Sequence, residues 1–474
     1  MEKAARIARQ ESRFLISYSL FPIPQFLVSG MMRTLVSAAV ACVVAAGAAQ
    51  GADLLDVYRA AQGADAVYAA ARAAWSAGQE KLPQGLSGLL PSATLSASTQ
   101  NNDRELRFRA PTSTTSSAQF NSNSLSLSVT QPLYRPQNVA VYEQAKTQVT
   151  QSDAVFAQAA QDLILRVAQA YFDVLLAQVN VELAGAQKTA IGEQLAQAKR
   201  NFEVGTATIT DTHDAQARFD LATSQEISAL NDLEIKRRAL EQIIARPAPA
   251  LATVDLKRFR LIAPEPNNME AWAKEAWAAN LQVKVAEASL AFASQEVERN
   301  RAGHRPTLDA FATYSDSGSG SGIQGGSGVD TTSKVIGLQL AVPLYQGGSV
   351  NSRVREALAN EDKARQDLEN ARRSAELSVR QAFLGVTGGI AQVNALGAAV
   401  ISSQSSVDST RLGLEVGVRT QVDVLNAQQQ LFSARRDRAQ SHYVYLLSLL
   451  RLKAAVGRLA EDDLAQINQW LDKQ

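Results

Sequence analysis

The 474-residue chain contains one cysteine and three histidines, and only 6% of its residues are aromatic. One cysteine cannot form an intramolecular disulfide, so covalent cross-links do not hold this fold. His213, His304 and His442 share no metal-ligand spacing, and no nucleophile, base and orienting group accompany them. Neither an enzyme nor a metal or cofactor site is therefore expected. An excess of one charge is missing too: 47 Lys plus Arg face 46 Asp plus Glu, a formal charge of +1. Phosphate-binding surfaces show a basic excess or basic clusters, so nucleic acid is not an expected partner. After Ala52 there is no run of about 18 apolar residues, so no membrane-spanning helix is expected. Proline is absent from 138–203 and from 349–415, which leaves both stretches free to form unbroken helices.

What is present begins with a targeting signal. After Met31 or Met32, Arg33 precedes an apolar run from Leu35 to Ala46, and small residues follow to Ala52. This is the layout of a secretory signal peptide, so the mature chain is expected to leave the cytoplasm. Residues 1–30, with Arg6, Arg9, Arg13, Pro22 and Pro24, sit upstream of that signal. Translation from Met31 or Met32 explains them, and a long n-region is the alternative. Cys42 lies within the apolar run behind Ala39, Val40 and Ala41, without the Leu usual for a lipid anchor, and is expected to go with the signal.

An internal repeat organises the rest. Gln131-Pro132-Leu133-Tyr134 returns as Val342-Pro343-Leu344-Tyr345, and Gln169-Ala170-Tyr171-Phe172 as Gln381-Ala382-Phe383-Leu384. Glu203-Val204-Gly205 with Asp211 returns as Glu415-Val416-Gly417 with Asp423. The expected division is 1–52 extension and signal, 53–267 repeat one, 268–456 repeat two, and 457–474 a C-terminal equatorial segment. Within each repeat, apolar residues alternate steps of four and three: Phe156, Ala160, Leu163, Val167, Ala170, Val174 and onward, matched in phase by Ala375, Val379, Ala382 and Val386. That is a heptad seam. It predicts helices over 138–203 and 349–415, each about 100 Å long at 1.5 Å per residue. Each is followed past a Val-Gly by a returning helix, over 211–245 and 421–456, making two antiparallel coiled-coil hairpins. Earlier helices are expected over 54–80 and 268–301.

Between these helices the period changes to two. Ala93, Leu95 and Ala97, then Leu125, Leu127 and Val129, alternate with Ser and Thr; Ile336, Leu338, Leu340 and Val342 alternate with less apolar residues. Thr307 to Tyr314 fits less well, because Phe311 shares a face with Asp309. The stretches 101–123 and 315–333 read as polar connectors. Four such strands match the signature of membrane-barrel staves, yet about eight are needed to close a barrel. The barrel must then be shared between chains, with the helical hairpins continuing below it as a tube.

These residues resemble the TolC-like outer-membrane channel-tunnels. The likeness is strongest in Asn201-Phe202-Glu203-Val204-Gly205 through Asp211, in Val416-Gly417-Val418-Arg419-Thr420-Gln421-Val422-Asp423, and in Pro343-Leu344-Tyr345-Gln346-Gly347-Gly348. The resemblance implies a mainly α, internally duplicated homotrimer with four strands per chain, seated in outer-membrane lipid. It also implies an inner-membrane ABC-type exporter and a periplasmic membrane-fusion adaptor as partners, and a place in type I secretion or small-molecule efflux. Length and loops are similar to the outer-membrane component of cyclolysin secretion. A pore-less periplasmic coiled-coil adaptor is the alternative reading.

The resemblance also assigns sites. Asp211, Arg419, Gly205, Gly417 and Leu414, the last at a position where the family has Tyr, belong to the gate at the hairpin tips. Asp423 and Asn426 stand where the family has two acidic rings, so one ring is expected here; the plainer reading is that Asp423 caps its helix. Pro132, Tyr134, Pro343, Tyr345, Gly347 and Gly348 mark the strand-to-helix junctions. Gly320-Ser321-Gly322-Ile323-Gln324-Gly325 matches G-x-G-x-x-G but opens no helix, so no dinucleotide site is expected. Trp272, Trp277, Trp470 and His442 are expected to pack internally, and Arg72, Arg104, Arg107 and Arg109 to be solvated.

Overall fold

The computed structural model describes residues 51–107, 109, 115–255, 258–320 and 327–472. The expected signal run and Cys42 lie outside the described residues. Elements follow in the order α1 (Leu54–Ala64), α2 (Ala66–Gln79), α3 (Lys81–Ser87), β1 (Ser92–Arg107), β2 (Thr115–Tyr134), α4 (Pro136–Glu203) and α5 (Ile209–Ile244). After the short β3 (Thr253–Val254), the series repeats as α6 (Met269–Ala279), α7 (Leu281–Arg301), β4 (Thr307–Ser319), β5 (Val329–Ala341), α8 (Ser349–Glu415) and α9 (Gln421–Ala455). It ends with α10 (Glu461–Asn468) and β6 (Leu471–Asp472).

The long helices stand where the heptads place them, and the seam is their contact. Leu163, Val167, Val174 and Ala177 are buried on α4, and Ala375, Val379, Val386 and Val393 on α8. The earlier helices are each broken once, contrary to the continuous helices expected. Asp65 leaves helical geometry to accept from the Tyr68 N–H at 2.7 Å, and Asn280 does the same for the Gln282 and Val283 N–H groups. Both residues compete with the backbone for its own hydrogen bonds and so start a new helix.

The strands form one antiparallel sheet in the order β1-β2-β4-β5. They are longer than expected, because most of the supposed connector 101–123 is paired: Asn101 faces Asn121 and Glu105 faces Ser117. Polar residues alternating with polar residues give no hydrophobic period, yet the backbone ladder continues through them. One face carries Leu95, Leu127 and Tyr314 in a single row, with Ala93, Val129, Ala312 and Ile336 in the next. The other carries Ser96, Ser126, Ser315 and Ser333 side by side. Ile336 on the leucine face is 88% exposed.

One stretch of α8 is long and apolar enough by composition alone to cross a membrane, although it contains no unbroken apolar run of that length. Its composition reflects the Ala- and Gly-rich seam that pairs it with α9, as Gly389 against the Tyr445 side chain shows.

The core lies where the repeats meet. Tyr171, fully buried, donates to the Ala252 carbonyl at 2.7 Å, and the Tyr445 hydroxyl is bonded to both backbone groups of Ile262. β3 pairs with β6, and Asn468 accepts from the Leu54 N–H, so both ends of the described chain join the same belt. Trp272 is buried here and the Trp470 ring packs edge-on against Phe259; Trp277, expected to pack, is half exposed. His442 packs against Phe259 and bonds the Arg438 carbonyl through Nδ1 at 2.7 Å.

Candidate functional site

The two hairpin tips are built alike, as the repeat requires. After α4 the chain reverses at Gly205, whose φ of +77° is left-handed, and after α8 at Gly417, at +79°. A side chain there is strained, which explains why both copies carry glycine at this turn. Each returning helix then opens with a reciprocal cap. The Thr208 hydroxyl accepts from the Asp211 N–H at 3.2 Å, while the Asp211 carboxylate accepts from the Thr208 N–H at 2.9 Å. Thr420 and Asp423 repeat the arrangement at 3.2 and 2.9 Å.

This capping gives a structural role within one chain to residues that the resemblance assigns to the gate and the pore. Within one chain the Asp211 carboxylate is engaged by Thr208. Among the described residues of one chain Asp211 and Arg419 form no ion pair, and the charge of Arg419 acts on Asp423 of its own tip. Hydrogen bonds from Thr420, with a smaller contribution from Arg419, hold the Asp423 carboxyl below the usual carboxylate range. Leu414 offers its carbonyl to the Gly417 N–H at 3.1 Å. The residue missed by sequence reading is Gly413. It is buried beneath Arg419, and a Cβ there would stand 2.7 Å from the Arg419 Cγ. Its lone signal was a glycine next to the heptad position of Leu414.

The other pore candidate, Asn426, is tied across the hairpins. Its Oδ1 accepts from the Arg218 guanidinium on α5 at 2.9 Å. Beside it, Leu425 is buried with Ile191 of α4 and Ala222 of α5, flanked by Phe219. The Phe219 ring lies over Gly192, where an added Cβ would be 3.3 Å from it. A polar tie and an apolar knob therefore join the second hairpin to the first near the tips.

At the other end, the two junctions differ. In copy one the β2–β4 register slips between Pro132 and Tyr134, since Pro132 has no N–H for the ladder. Arg135 then grips Asp309 of β4 with two bonds, 2.7 and 2.5 Å, and α4 starts at Pro136. That pair explains the Asp309 that spoiled the strand pattern. In copy two, β5 ends at Ala341 and the chain passes Pro343 to reach Gly347 and Gly348, both left-handed at +61° and +78°, before α8 begins. Leu344 and Tyr345 project outward there, 93% and 88% exposed; Tyr134 is half exposed.

Arg104 was expected to be solvated, but its guanidinium lies 5.0 Å from the Phe120 ring centre on the serine face. Arg107 pairs with the exposed Glu105 and Arg72 lies over Tyr68.

An antiparallel sheet with an apolar outer face, continued by hairpins of about 100 Å, defines an outer-membrane channel with a helical periplasmic tunnel. The family model for outer membrane efflux proteins matches residues 57–246 and 272–458, one match in each repeat. The chain belongs to that family, whose members are transport ducts and not enzymes. It is 35% identical to outer membrane protein TolC of Vibrio cholerae over 421 residues, covering 88% of this chain and 94% of that one. It is 31% identical to the proteases secretion protein PrtF of Dickeya chrysanthemi, over 93% of this chain and 96% of PrtF. Protein CyaE of Bordetella pertussis is 26% identical over 68% and 67% of the two chains. The Campylobacter jejuni CmeC outer membrane channel shares the fold, with a TM-score of 0.72 at 19% identity, covering 88% of this chain and 90% of that one. These findings place the chain in the outer membrane and set aside the pore-less adaptor.

Proposed function

We propose that three copies of this chain close a twelve-stranded barrel in outer-membrane lipid and form the exit duct of a tripartite export system. The observation that carries this reading is the open sheet. β1 and β5 each leave one edge unpaired, and the leucine face is uncovered. Four strands cannot close alone, and free edges are covered when neighbours add their own strands. Leu344, Tyr134 and Tyr345 then sit at the lower membrane boundary, where amphipathic rings are favoured.

The duct is gated at its periplasmic tips. Docking of a membrane-fusion adaptor and an ABC-type exporter favours a state in which the second hairpin leaves the first, a shift between two populations. The exported cargo is a protein carried by type I secretion. The extended similarity to PrtF, which its name ties to protease secretion, supports this reading; a repeats-in-toxin cargo such as a cyclolysin belongs to the same class, and small-molecule efflux is the second reading, which the family's description as efflux proteins favours. Detergent-extracted outer-membrane protein is expected to run as a trimer and to form pores in planar bilayers. A monomer that carries no current would refute the duct. Restored protease release in a host lacking its own outer-membrane component, without restored drug resistance, tests the cargo.

A further inference from the structure

Beside β3 a cleft of about 580 Å³ lies between the two hairpins, with walls from α4, α8 and α9. One wall is apolar: Leu175, Val179 and Leu183 recur every four residues along α4, and Val400 of α8 and Val254 of β3 join them. The other is cationic. Arg435 and Arg438, one turn apart on α9, both line the cleft. Arg435 is exposed and donates to the Gln404 side chain of α8 at 2.9 Å. Arg438 is partly buried, and its Nε is shut off from solvent with no hydrogen-bond partner among the described residues. The neighbouring Asp437 is taken by Arg436 at 3.1 Å. Glu182 is the one carboxylate that lines the cleft among the described residues; it is exposed and bonded to neither arginine.

We propose that this cleft binds a small anionic amphiphile, a carboxylate on a short aliphatic chain, and that the bound ligand holds the two hairpins together. A buried guanidinium nitrogen left unpaired is costly, so its surroundings favour a ligand that brings an acceptor. A carboxylate does so with two oxygens that match the fork of the Arg438 guanidinium, and Arg435 adds a second positive charge. The aliphatic chain lies on the leucine and valine wall and leaves water there. Charge and apolar wall together select amphiphiles over inorganic anions and over neutral alkyl compounds. The site is complete within one chain, so its existence goes beyond the duct reading. Its effect on opening does rest on that reading: α4 belongs to the first hairpin and α8 and α9 to the second, so a ligand that touches both stabilises the state in which they meet.

The test titrates detergent-solubilised full-length protein with octanoate by calorimetry, with empty micelles as the blank and octan-1-ol as the uncharged counterpart. Wild type is expected to bind octanoate and to bind octan-1-ol more weakly. Arg438→Gln should weaken octanoate binding by about tenfold or more, and Arg438→Lys by less, since it keeps the charge and loses the fork. Val179→Phe, which fills the apolar wall, should weaken it with the charges intact. Arg436→Gln, which removes the same charge two positions away on α9 from outside the cleft, should leave it unchanged. A wild type that binds no octanoate, an unaltered affinity in Arg438→Gln, or an equal loss in Arg436→Gln overturns the site while the duct stands. In planar bilayers octanoate should shorten the open periods of wild type and leave those of Arg438→Gln as they were. Binding without that change overturns the hold on the hairpins, and a wild-type protein that conducts nothing overturns the duct while the calorimetry still decides the site.

Discussion

Leu425→Ala tests whether the contact between hairpins holds the tips together. Leu425 is 3% exposed and packs with Ile191, Ala222 and Phe219, all from the first hairpin. Truncating a buried leucine costs roughly 2–5 kcal/mol, and a cluster this small belongs at the lower end. The loss falls on the state in which the hairpins touch, because a separated second hairpin has already given up the contact. A shift of about 2 kcal/mol multiplies the open-to-closed ratio roughly 30-fold. Single-channel recordings should therefore show longer and more frequent open periods. The Arg218–Asn426 bond lies in an exposed setting, and its removal should contribute about 0.5 kcal/mol. The Arg218→Ala, Asn426→Ala double variant should cost less than the two single changes added together, as expected for partners. Leu221 lies exposed on α5, and Leu221→Ala is the control. Equal opening in the Leu221 and Leu425 variants, with the oligomer intact, would refute the reasoning.

Three further expectations follow from individual residues. Asp309→Asn leaves the Arg135 guanidinium facing an amide in a partly buried junction and should destabilise the fold by about 2 kcal/mol, measured by urea unfolding; Arg135→Lys should cost less, and a loss below about 0.5 kcal/mol contradicts the junction role. If three copies of Asp423 ring the inner mouth of the proposed duct, the bonds from Thr420 that hold its carboxyl low should keep cation selectivity constant from pH 7 to about 5, with a fall only below about pH 4; the cap's stabilisation, present above the unfolded carboxylate value, is lost as pH falls through the lowered native one, and a selectivity midpoint near pH 6 would contradict this. Burial pushes the His442 imidazole below its usual value, so the unfolded chain takes up the proton first. Lowering the pH through about 6.5 should then reduce the thermal midpoint, and His442→Gln should flatten that dependence.

Features set by local periodicity were legible in the sequence. The heptads fixed both long helices to within two residues, since each buried seam residue announces itself by its spacing. The duplicated Val-Gly and Asp predicted two matching tips, and the tips share one geometry. What was not legible depends on partners distant in the chain. Arg135 and Asp309 are 174 positions apart, and Arg218 and Asn426 are 208 apart. Asp309 looked like a flaw in a strand because its partner lay in the other repeat. The paired stretches 101–107 and 115–123 gave no signal because neither face carries a regular apolar row, and only such a row makes a strand visible. The break at Asp65 was available in principle, as an Asp three positions before a buried Tyr68 is an N-cap pattern.

The two repeats have kept one end alike and let the other diverge, and the division matches what each end must do. At the tips, Thr208 with Asp211 and Thr420 with Asp423 repeat the same bonds to within about 0.1 Å. In a ring of three chains, six hairpins must meet around one axis, and equal reversals let them close with nearly equal spacing. At the membrane end the copies differ in strand length, 16 and 20 residues against 13 and 13, and in their junctions. Copy one enters its helix through an ion pair, copy two through a pair of left-handed glycines. A barrel tolerates this, because each strand needs a neighbour's backbone and not a symmetric copy of itself. The difference also places charge unevenly, since the longer first hairpin alone carries Arg104 beyond the apolar band.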